Sequence, residues 1–338
     1  MTAASNQALN QDSELALNMV LEMPDTNPSK PHHLNGIGHI FWEHFHRTKS
    51  RGDIDNCVLA YDLATQLLPV DDAKFMDFLH DSGTSFLERY NLTGHLADIN
   101  QATSKLEIVV KGMVNDNRPN PGWVRQLGIS FAQYFEHTGN LTDISKAILW
   151  QEKAVQLIPE SHADMPDWLN YLRNLLLLRF DHTGDLSDIS KAISSLQKAV
   201  QLTPEGHAEM PGWLNNLGVS FMCRFEHTGD LTDISEGIMS QDKAVQLTPE
   251  GHTDMPTRLY NLGTLFLHHF KCIGDLTNIS KAISMLQKAI QLTPEGHAEM
   301  PAQLHNLGVS FQSCFMHTGD LNDISEAISI RKNPFPRT

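Results

Sequence analysis

The chain has 338 residues, of which 41% are hydrophobic, and it carries 25 Lys and Arg against 40 Asp and Glu. The hydrophobic share suits a folded protein in water. The formal net charge of −15 at pH 7 argues against a nucleic-acid binder or a protein of anionic membranes, because both need clustered basic residues. No run of about 18 apolar residues occurs, so the sequence predicts no membrane-spanning helix.

The N-terminal segment, residues 1–30, is polar and lacks the long apolar core of a secretion signal, so we expect it to be disordered. The four cysteines are scattered and form no C-x-x-C pair, which favours a reducing compartment over a disulfide framework or a zinc site. They are Cys57, Cys223, Cys272 and Cys314. These features predict an intracellular, cytoplasmic protein, with the nucleus left open.

From residue 31 onwards the sequence repeats every 45 residues. The tripeptide His-Thr-Gly, followed by Asn/Asp-Leu-x-Asp-Ile-Ser, begins at His137, His182, His227 and His317. A fixed period of this length indicates a repeat array, in which each unit covers the hydrophobic face of its neighbour. We expect the array to cover 31–330, with units starting near 31, 76, 121, 166, 211, 256 and 301.

Each unit predicts two helices, as the unit that starts at Pro211 shows. A first helix, A, presents one apolar face with residues at steps of three and four, and a Gly ends it. A second helix, B, begins at an acidic capping sequence and ends at Thr-Pro. The residues that carry this pattern are Leu214, Leu217, Phe221, Phe225, Gly229, Asp230, Asp233 and Pro249. The fold class predicted is all-α, a row of antiparallel helical hairpins.

A glycine recurs in the middle of helix A, although such a glycine costs about 1 kcal/mol against alanine. We therefore expect the helices to approach closely there. It stands at Gly38, Gly83, Gly128, Gly218, Gly263 and Gly308. Arg173 replaces it in the fourth unit, and we expect the local geometry to change at that point.

The pattern Leu214-x-x-Leu217-Gly218-x-x-Phe221, followed by Gly237, Ala244 and Pro249, resembles the tetratricopeptide (TPR) repeat, although this unit has 45 residues instead of 34. Two phrases, His-Thr-Gly-Asp-Leu-x-Asp-Ile and Gln-Leu-Thr-Pro-Glu-Gly-His, resemble a long-repeat TPR group common in basidiomycete fungi. In that group the array often precedes a CHAT domain, a caspase-like Cys/His peptidase fold. The resemblance implies a TPR-like α-α superhelix (solenoid) of about seven hairpins.

The C-terminal residues 331–338 predict an irregular tail and an incomplete last repeat. Pro334 stands where the period predicts an alanine, and proline breaks a helix interior. An array needs a polar cap on its last apolar face. We therefore expect either a shortened product of a longer protein or self-association through the incomplete seventh unit.

The sequence offers little for catalysis. It contains no His-Glu-x-x-His motif, no phosphate-binding glycine loop and no serine elbow. His44 with His46, and His268 with His269, are spaced so that neither pair shares a helix face. The turn histidines are expected at helix C-termini, because the negative end of the helix dipole favours a basic side chain there. No cysteine matches the CHAT Cys/His pair. We predict that the chain is not an enzyme and binds no metal or cofactor.

The resemblance implies that the A helices line a concave groove whose variable positions recognise peptides. An apolar groove with a weakly polar edge suits a peptide or an amphipathic helix. The alternative is that Leu177, Met222 and Leu267 belong to the core. The candidate groove residues are Arg125, Asn170, Asn174, Leu178, Asn215, Met222, Tyr260, Leu267 and His268.

We therefore expect a non-catalytic scaffold or adaptor for protein–protein interaction. Its partner would be a protein or peptide and neither a nucleic acid nor a membrane. The alternative is a recognition or regulatory arm of a CHAT-type peptidase whose catalytic domain is absent from this chain.

Overall fold

The structure is a computed structural model that describes the backbone of residues 3–115 and 119–332 and the side chains of residues 12–113 and 119–330. All regular elements in these ranges are α-helices. They are α1 (Ala3–Leu21), α2 (Lys30–Thr48), α3 (Arg51–Leu67), α4 (Phe75–Thr93), α5 (Leu96–Asn115), α6 (Pro121–Thr138), α7 (Leu141–Leu157), α8 (Met165–Thr183), α9 (Leu186–Leu202), α10 (Met210–Thr228), α11 (Leu231–Leu247), α12 (Met255–Ile273), α13 (Leu276–Leu292), α14 (Met300–Thr318) and α15 (Leu321–Lys332).

The chain forms two compact units, Met1–Pro159 and Glu160–Thr338. The first unit contains α1 and the hairpins α2–α3, α4–α5 and α6–α7, and the second contains the hairpins α8–α9, α10–α11, α12–α13 and α14–α15. Within each unit the second helix of a hairpin packs against the first helix of the next. The prediction of an all-α fold built from helical hairpins is confirmed. The even-numbered helices from α2 to α14 are the A helices, and each begins within one residue of a predicted repeat start.

Capping residues set the turn inside each hairpin. Gly229 has φ of 70°, and its N–H donates to the carbonyl of Phe225 at 2.7 Å. Positive φ costs a glycine little, so this residue type ends the helix. The Asp230 carboxylate then accepts the backbone N–H of Thr232 at 2.9 Å and caps α11. The repeated Gly-Asp dipeptide is therefore the corner of the hairpin.

The turn histidine joins one hairpin to the preceding one. His227 Nδ1 lies 2.9 Å from the carbonyl oxygen of Cys223 in the last turn of α10. Because a carbonyl only accepts, the ring carries its proton on Nδ1 and donates it. The same ring packs edge-on against Phe180 of α8, with 4.7 Å between the ring centroids. His227 therefore closes its own helix and contacts the neighbouring hairpin.

The recurrent glycines allow close packing of the two helices of a hairpin, except at Gly308, where a Cβ atom would lie 3.9 Å from Cγ2 of Ile330. A Cβ atom at Gly218 would lie 2.6 Å from Cγ of Gln241, and one at Gly263 would lie 2.8 Å from Cγ of Leu286. In α8, which has Arg173 at this register, the hairpin keeps the same helix lengths as α10–α11, 19 and 17 residues. The expected change of local geometry is therefore not seen in the helix lengths.

The N-terminal segment corrects one prediction, because residues 1–30 contain the helix α1 instead of a disordered chain. Leu17 is 3% exposed and packs in a cluster with Leu34 and Ile37 of α2. The Nζ atom of Lys30 donates to the carbonyls of Leu21 at 3.0 Å and Met23 at 2.5 Å. The short apolar face of α1 is enough for helix formation because α2 covers it.

At the C-terminal end, α15 continues to Lys332, so the first two residues of the predicted tail 331–338 are helical. The rest of that tail, with Pro334, lies outside the described residues.

None of the described helices is long and apolar enough to cross a membrane.

Candidate functional site

The predicted groove residues of the second unit lie on three consecutive A helices. Asn170, Asn174 and Leu178 are in α8, Asn215 and Met222 in α10, and Tyr260, Leu267 and His268 in α12. Seven of these are half-buried or exposed, and together we name them the A-helix face: Asn170, Asn174, Leu178, Asn215, Met222, Tyr260 and His268. Arg125 lies in α6 of the first unit, where it is half-buried.

A ladder of side-chain hydrogen bonds joins neighbouring A helices. Asn216 Nδ2 donates to Asn170 Oδ1 at 3.0 Å, and Asn261 Nδ2 donates to Asn215 Oδ1 at 3.0 Å. Asn306 Nδ2 donates to the Tyr260 hydroxyl at 3.1 Å. Each bond spans 46 residues, one repeat plus one position. These bonds fix the distance between the A helices that carry the A-helix face.

The ladder changes how three predicted groove residues are understood. Three of them already use a side-chain oxygen to accept a bond that holds two A helices together: Asn170, Asn215 and Tyr260. Asn215 is further constrained, because Gln241 Nε2 donates to its backbone carbonyl at 3.0 Å and its Oδ1 at 3.2 Å. Sequence reasoning missed these bonds, although the recurrence of Asn at a spacing of 46 was visible.

Arg173 crosses from α8 to α10. Its Nε donates to Ser220 Oγ at 3.1 Å and its Nη2 to the carbonyl of Asn216 at 3.3 Å. Its Nη1 donates to Oδ1 of the exposed Asn174 at 2.9 Å. The side chain is 9% exposed, and no carboxylate of the described residues forms an ion pair with it. Burial lowers the pKa of its guanidinium to about 10.

The apolar positions divide between the surface and the core. Leu178 and Met222 are half-buried. Leu267 is only 2% exposed and packs with Leu262 and Phe266, so the structure assigns it to the core and removes it from the predicted groove. Helical periodicity did not separate the two cases, because the core face and the A-helix face are adjacent on one helix.

His268 completes the A-helix face on α12. It is half-buried, and burial, together with the nearby Lys271, lowers the pKa of its imidazole. Its ring lies edge-on to Phe225 of α10, with 6.2 Å between the centroids. At neutral pH this residue therefore offers a neutral ring.

The histidines considered for metal binding have other roles. His44 is buried, and its Nδ1 lies 2.7 Å from Oδ2 of Asp53 at the start of α3. Across the described ranges, no group of three or more His, Cys, Asp or Glu side chains could hold a metal ion.

No known family model matches the sequence, and no curated protein sequence matches it. Solved structures do resemble the fold. A Signal Transduction ATPase with Numerous Domains from Pyrococcus horikoshii, which has a tetratricopeptide repeat sensor, aligns with a TM-score of 0.53 and 12% identity. The alignment covers 96% of this chain and 44% of that longer chain.

Two further TPR proteins align less closely. One is a Podosopora anserina putative kinesin light chain with nearly identical TPR-like repeats, at a TM-score of 0.45 and 11% identity over 64% of this chain and 99% of that chain. The other is YrrB, described as a TPR protein with an unusual peptide-binding site. It aligns at a TM-score of 0.42 and 14% identity, over 68% of this chain and 94% of that chain. The chain has a TPR-like α-α solenoid fold, and at these identities the likeness shows the fold alone.

Proposed function

We propose that the protein is a non-catalytic scaffold for protein–protein interaction, and that the A-helix face binds a peptide or an amphipathic helix. One observation carries this proposal. Leu178 and Met222 are only half-buried, although they lie on neighbouring A helices that the asparagine ladder holds in place. Binding to such a surface costs little ordering entropy, because the ladder has already fixed the helices that present it.

The chemistry of the A-helix face suggests the character of the partner. Methionine adapts its shape to apolar side chains, so Met222 with Leu178 suits the apolar face of an amphipathic helix. The polar edge is Asn174, which already accepts a bond from Arg173. A partner carboxylate at this edge would supply the counter-charge that the buried guanidinium lacks within the described residues. We therefore favour a helix with apolar anchors and one acidic residue at its edge.

The test is a selection from a displayed library of helical peptides, followed by calorimetry on the enriched peptide. Met222→Glu is expected to weaken that binding at least about tenfold, or about 1.4 kcal/mol, because it places an unpaired carboxylate in the contact. The matched control is Met239→Glu on α11, where the side chain is 59% exposed. Both variants should keep the helical circular dichroism of the parent. Equal binding by Met222→Glu, or no enriched peptide, would contradict the proposal.

The alternative, a recognition arm of a CHAT-type peptidase, remains a prediction. The Pyrococcus ATPase shows a TPR sensor within a larger protein, and the present chain spans 44% of that protein. Sequencing the native transcript across the codon for Thr338 tests this alternative, because it requires the frame to continue into a Cys/His domain. Self-association through the seventh unit also remains a prediction, and sedimentation at several concentrations tests it.

A further inference from the structure

Exposed apolar side chains gather at the corners of two consecutive hairpins of the second unit, α12–α13 and α14–α15. Ile273 and Leu276 flank the first corner and are 53% and 43% exposed. Met316 and Leu321 flank the second corner and are 78% and 71% exposed. We name these four residues the corner patch, and none of them belongs to the A-helix face. Exposed apolar patches of this kind mark interaction sites on proteins.

The two corners lie against each other. A Cβ atom at Gly274, which ends α12, would lie 3.5 Å from Cε1 of His317. The His317 ring also lies edge-on to Phe270, with 5.6 Å between the ring centroids. Gly274 directly follows Ile273, and His317 directly follows Met316. The corner patch is therefore one surface made by two hairpins.

The chain departs from its own repeat to form this surface. In α10–α11 the hydroxyl of Thr228 accepts the backbone N–H of Asp230 at 3.2 Å, and the corners of α8–α9 and α14–α15 have the same bond. Ile273 stands at the equivalent position of α12 and has no hydroxyl to accept this bond. Met316 likewise stands where α10 has Glu226. Because polar residues fit these positions in the other hairpins, the fold itself does not require the apolar ones.

The charges beside the corner patch are of both signs. Lys271 and Asp275 lie at the first corner and Asp320 at the second, and all three are exposed. The two aspartates cap α13 and α15 through backbone N–H groups at 2.9 Å. Neither Lys271 nor Asp320 forms an ion pair within the described ranges. A two-fold axis through the patch would place Lys271 of each copy opposite Asp320 of the other, so the surface is complementary to itself.

We propose that the corner patch binds the same patch of a second copy of the chain, related by a two-fold axis. The flexible side chain of Met316 packs on Ile273 and Leu276 of the other copy, and Lys271 pairs with Asp320. This contact does not involve Ile328, which lies two turns further along α15 and is 45% exposed. The contact is also independent of the proposed function of the A-helix face.

The test is sedimentation equilibrium of the full chain at several concentrations. We expect a monomer–dimer equilibrium with a dissociation constant on the order of 100 μM, as suits a contact of few side chains. Met316→Glu, which copies Glu226, should weaken dimerisation at least about tenfold, because each substitution enters a two-fold contact twice. The matched control is Ile328→Glu, which places the same charge on α15 outside the corner patch and should leave the constant unchanged. Circular dichroism should show the parent helix content in both variants.

A second variant separates association from folding. Ile273→Thr restores the acceptor for the backbone N–H of Asp275, so it should not lower the melting temperature, yet it should weaken dimerisation. Lys271→Glu should weaken dimerisation as well, because it sets two like charges against each other. An independent readout is Cys272, an exposed residue next to Ile273. Its alkylation by iodoacetamide should slow as the protein concentration rises past the dissociation constant, because the second copy covers it.

Two results would overturn the proposal. A strictly monomeric chain at 10 times the expected constant would mean that the corner patch does not bind a second copy and leaves it to a different partner. A dimer that Ile328→Glu weakens and Met316→Glu does not would place the contact at the outer face of α15 instead.

Discussion

The guanidinium of Arg224 in α10 holds the carboxylate of Asp233 at the start of α11 through two bonds, 2.9 Å from Nε to Oδ2 and 2.5 Å from Nη2 to Oδ1. Asp233 is 1% exposed, so the pair is screened from solvent on the carboxylate side. Bidentate Arg–carboxylate pairs are among the strongest polar contacts. The same nine-residue spacing gives Arg179–Asp188 and Arg89–Asp98. The pair ties the A helix of a hairpin to its B helix.

Removing the arginine should therefore be costly. We expect Arg224→Ala to lower the free energy of unfolding by about 2 kcal/mol, because it leaves a buried carboxylate that the helix dipole compensates only in part. Urea denaturation followed by circular dichroism measures this. The control is Lys198→Ala, which breaks the exposed pair with Glu160 and should cost at most about 0.5 kcal/mol. Equal losses in the two variants would show that the buried pair has no special weight.

Two glycines of α2 should respond in opposite directions to alanine. A Cβ atom at Gly36 meets nothing within 4 Å, so Gly36→Ala should stabilise the protein by up to about 1 kcal/mol through helix propensity. A Cβ atom at Gly38 would lie 2.5 Å from the ring of Tyr61, so Gly38→Ala should destabilise it by about 1–3 kcal/mol. Thermal denaturation of both variants checks the signs. A stabilised Gly38→Ala would refute the close approach of α2 and α3.

The asparagine ladder should show energetic coupling between hairpins. We expect Asn215→Ala and Asn261→Ala each to cost about 1 kcal/mol, the usual net value of a hydrogen bond. The double variant should cost less than the sum, because the two residues share one bond. A double-mutant cycle by urea denaturation measures the coupling. Strict additivity would mean that the bond does not contribute in solution.

The cysteines should differ in reactivity towards iodoacetamide. Burial, and then the hydrogen bond to Asp323, raises the pKa of the Cys314 thiol to about 11. At pH 9 only about 1% of such a thiol is thiolate, the reactive form. Burial also raises the pKa of the Cys57 thiol, which the hairpin α2–α3 encloses. Because Cys272 is exposed, it should be alkylated first and Cys57 last.

Mass spectrometry of peptides after timed labelling at pH 9 gives this order. Labelling in urea is the control, since all four sites should then react at similar rates. Early alkylation of Cys57 in the folded protein would contradict its burial.

The raised pKa of the Cys314 thiol also predicts how the free energy of unfolding changes with pH. The Cys314 thiol ionises near its ordinary pKa in the unfolded chain and near 11 in the folded one. The contribution of this thiol to the free energy of unfolding therefore falls as the pH rises between these two values.

The repeat made most of the fold predictable from sequence. Three features act through contacts within one hairpin: the Gly-Asp corners, the Thr-Pro helix ends and the mid-helix glycines. Contacts of this kind can be predicted from the spacing of residues that are close in sequence. The candidate site was less predictable. Whether Leu267 or Met222 reaches solvent depends on how the neighbouring hairpin is placed, and periodicity within one helix does not contain that information.

The helix α1 was missed for a related reason. Its apolar face is short and becomes stable only against α2, where Leu17 meets Leu34. A segment judged by its own composition looked too polar to fold. For the turn histidines, the position at a helix end could be predicted from the sequence. The contact of His227 with Phe180 could not, because the two residues belong to different hairpins.

The spacing of the asparagine ladder lets a ladder bond survive the loss of a whole repeat. Asn170 bonds to a residue 46 positions later, and the array repeats every 45. Excision of residues 210–254 would place α12 directly after α9 and bring Asn261 opposite Asn170, in the place that Asn216 leaves. The residue type at the new junction is unchanged. A gene that encodes this array could therefore lose this unit and keep the ladder, whereas the buried Arg173 would lose its acceptor Ser220, whose place Leu265 would take.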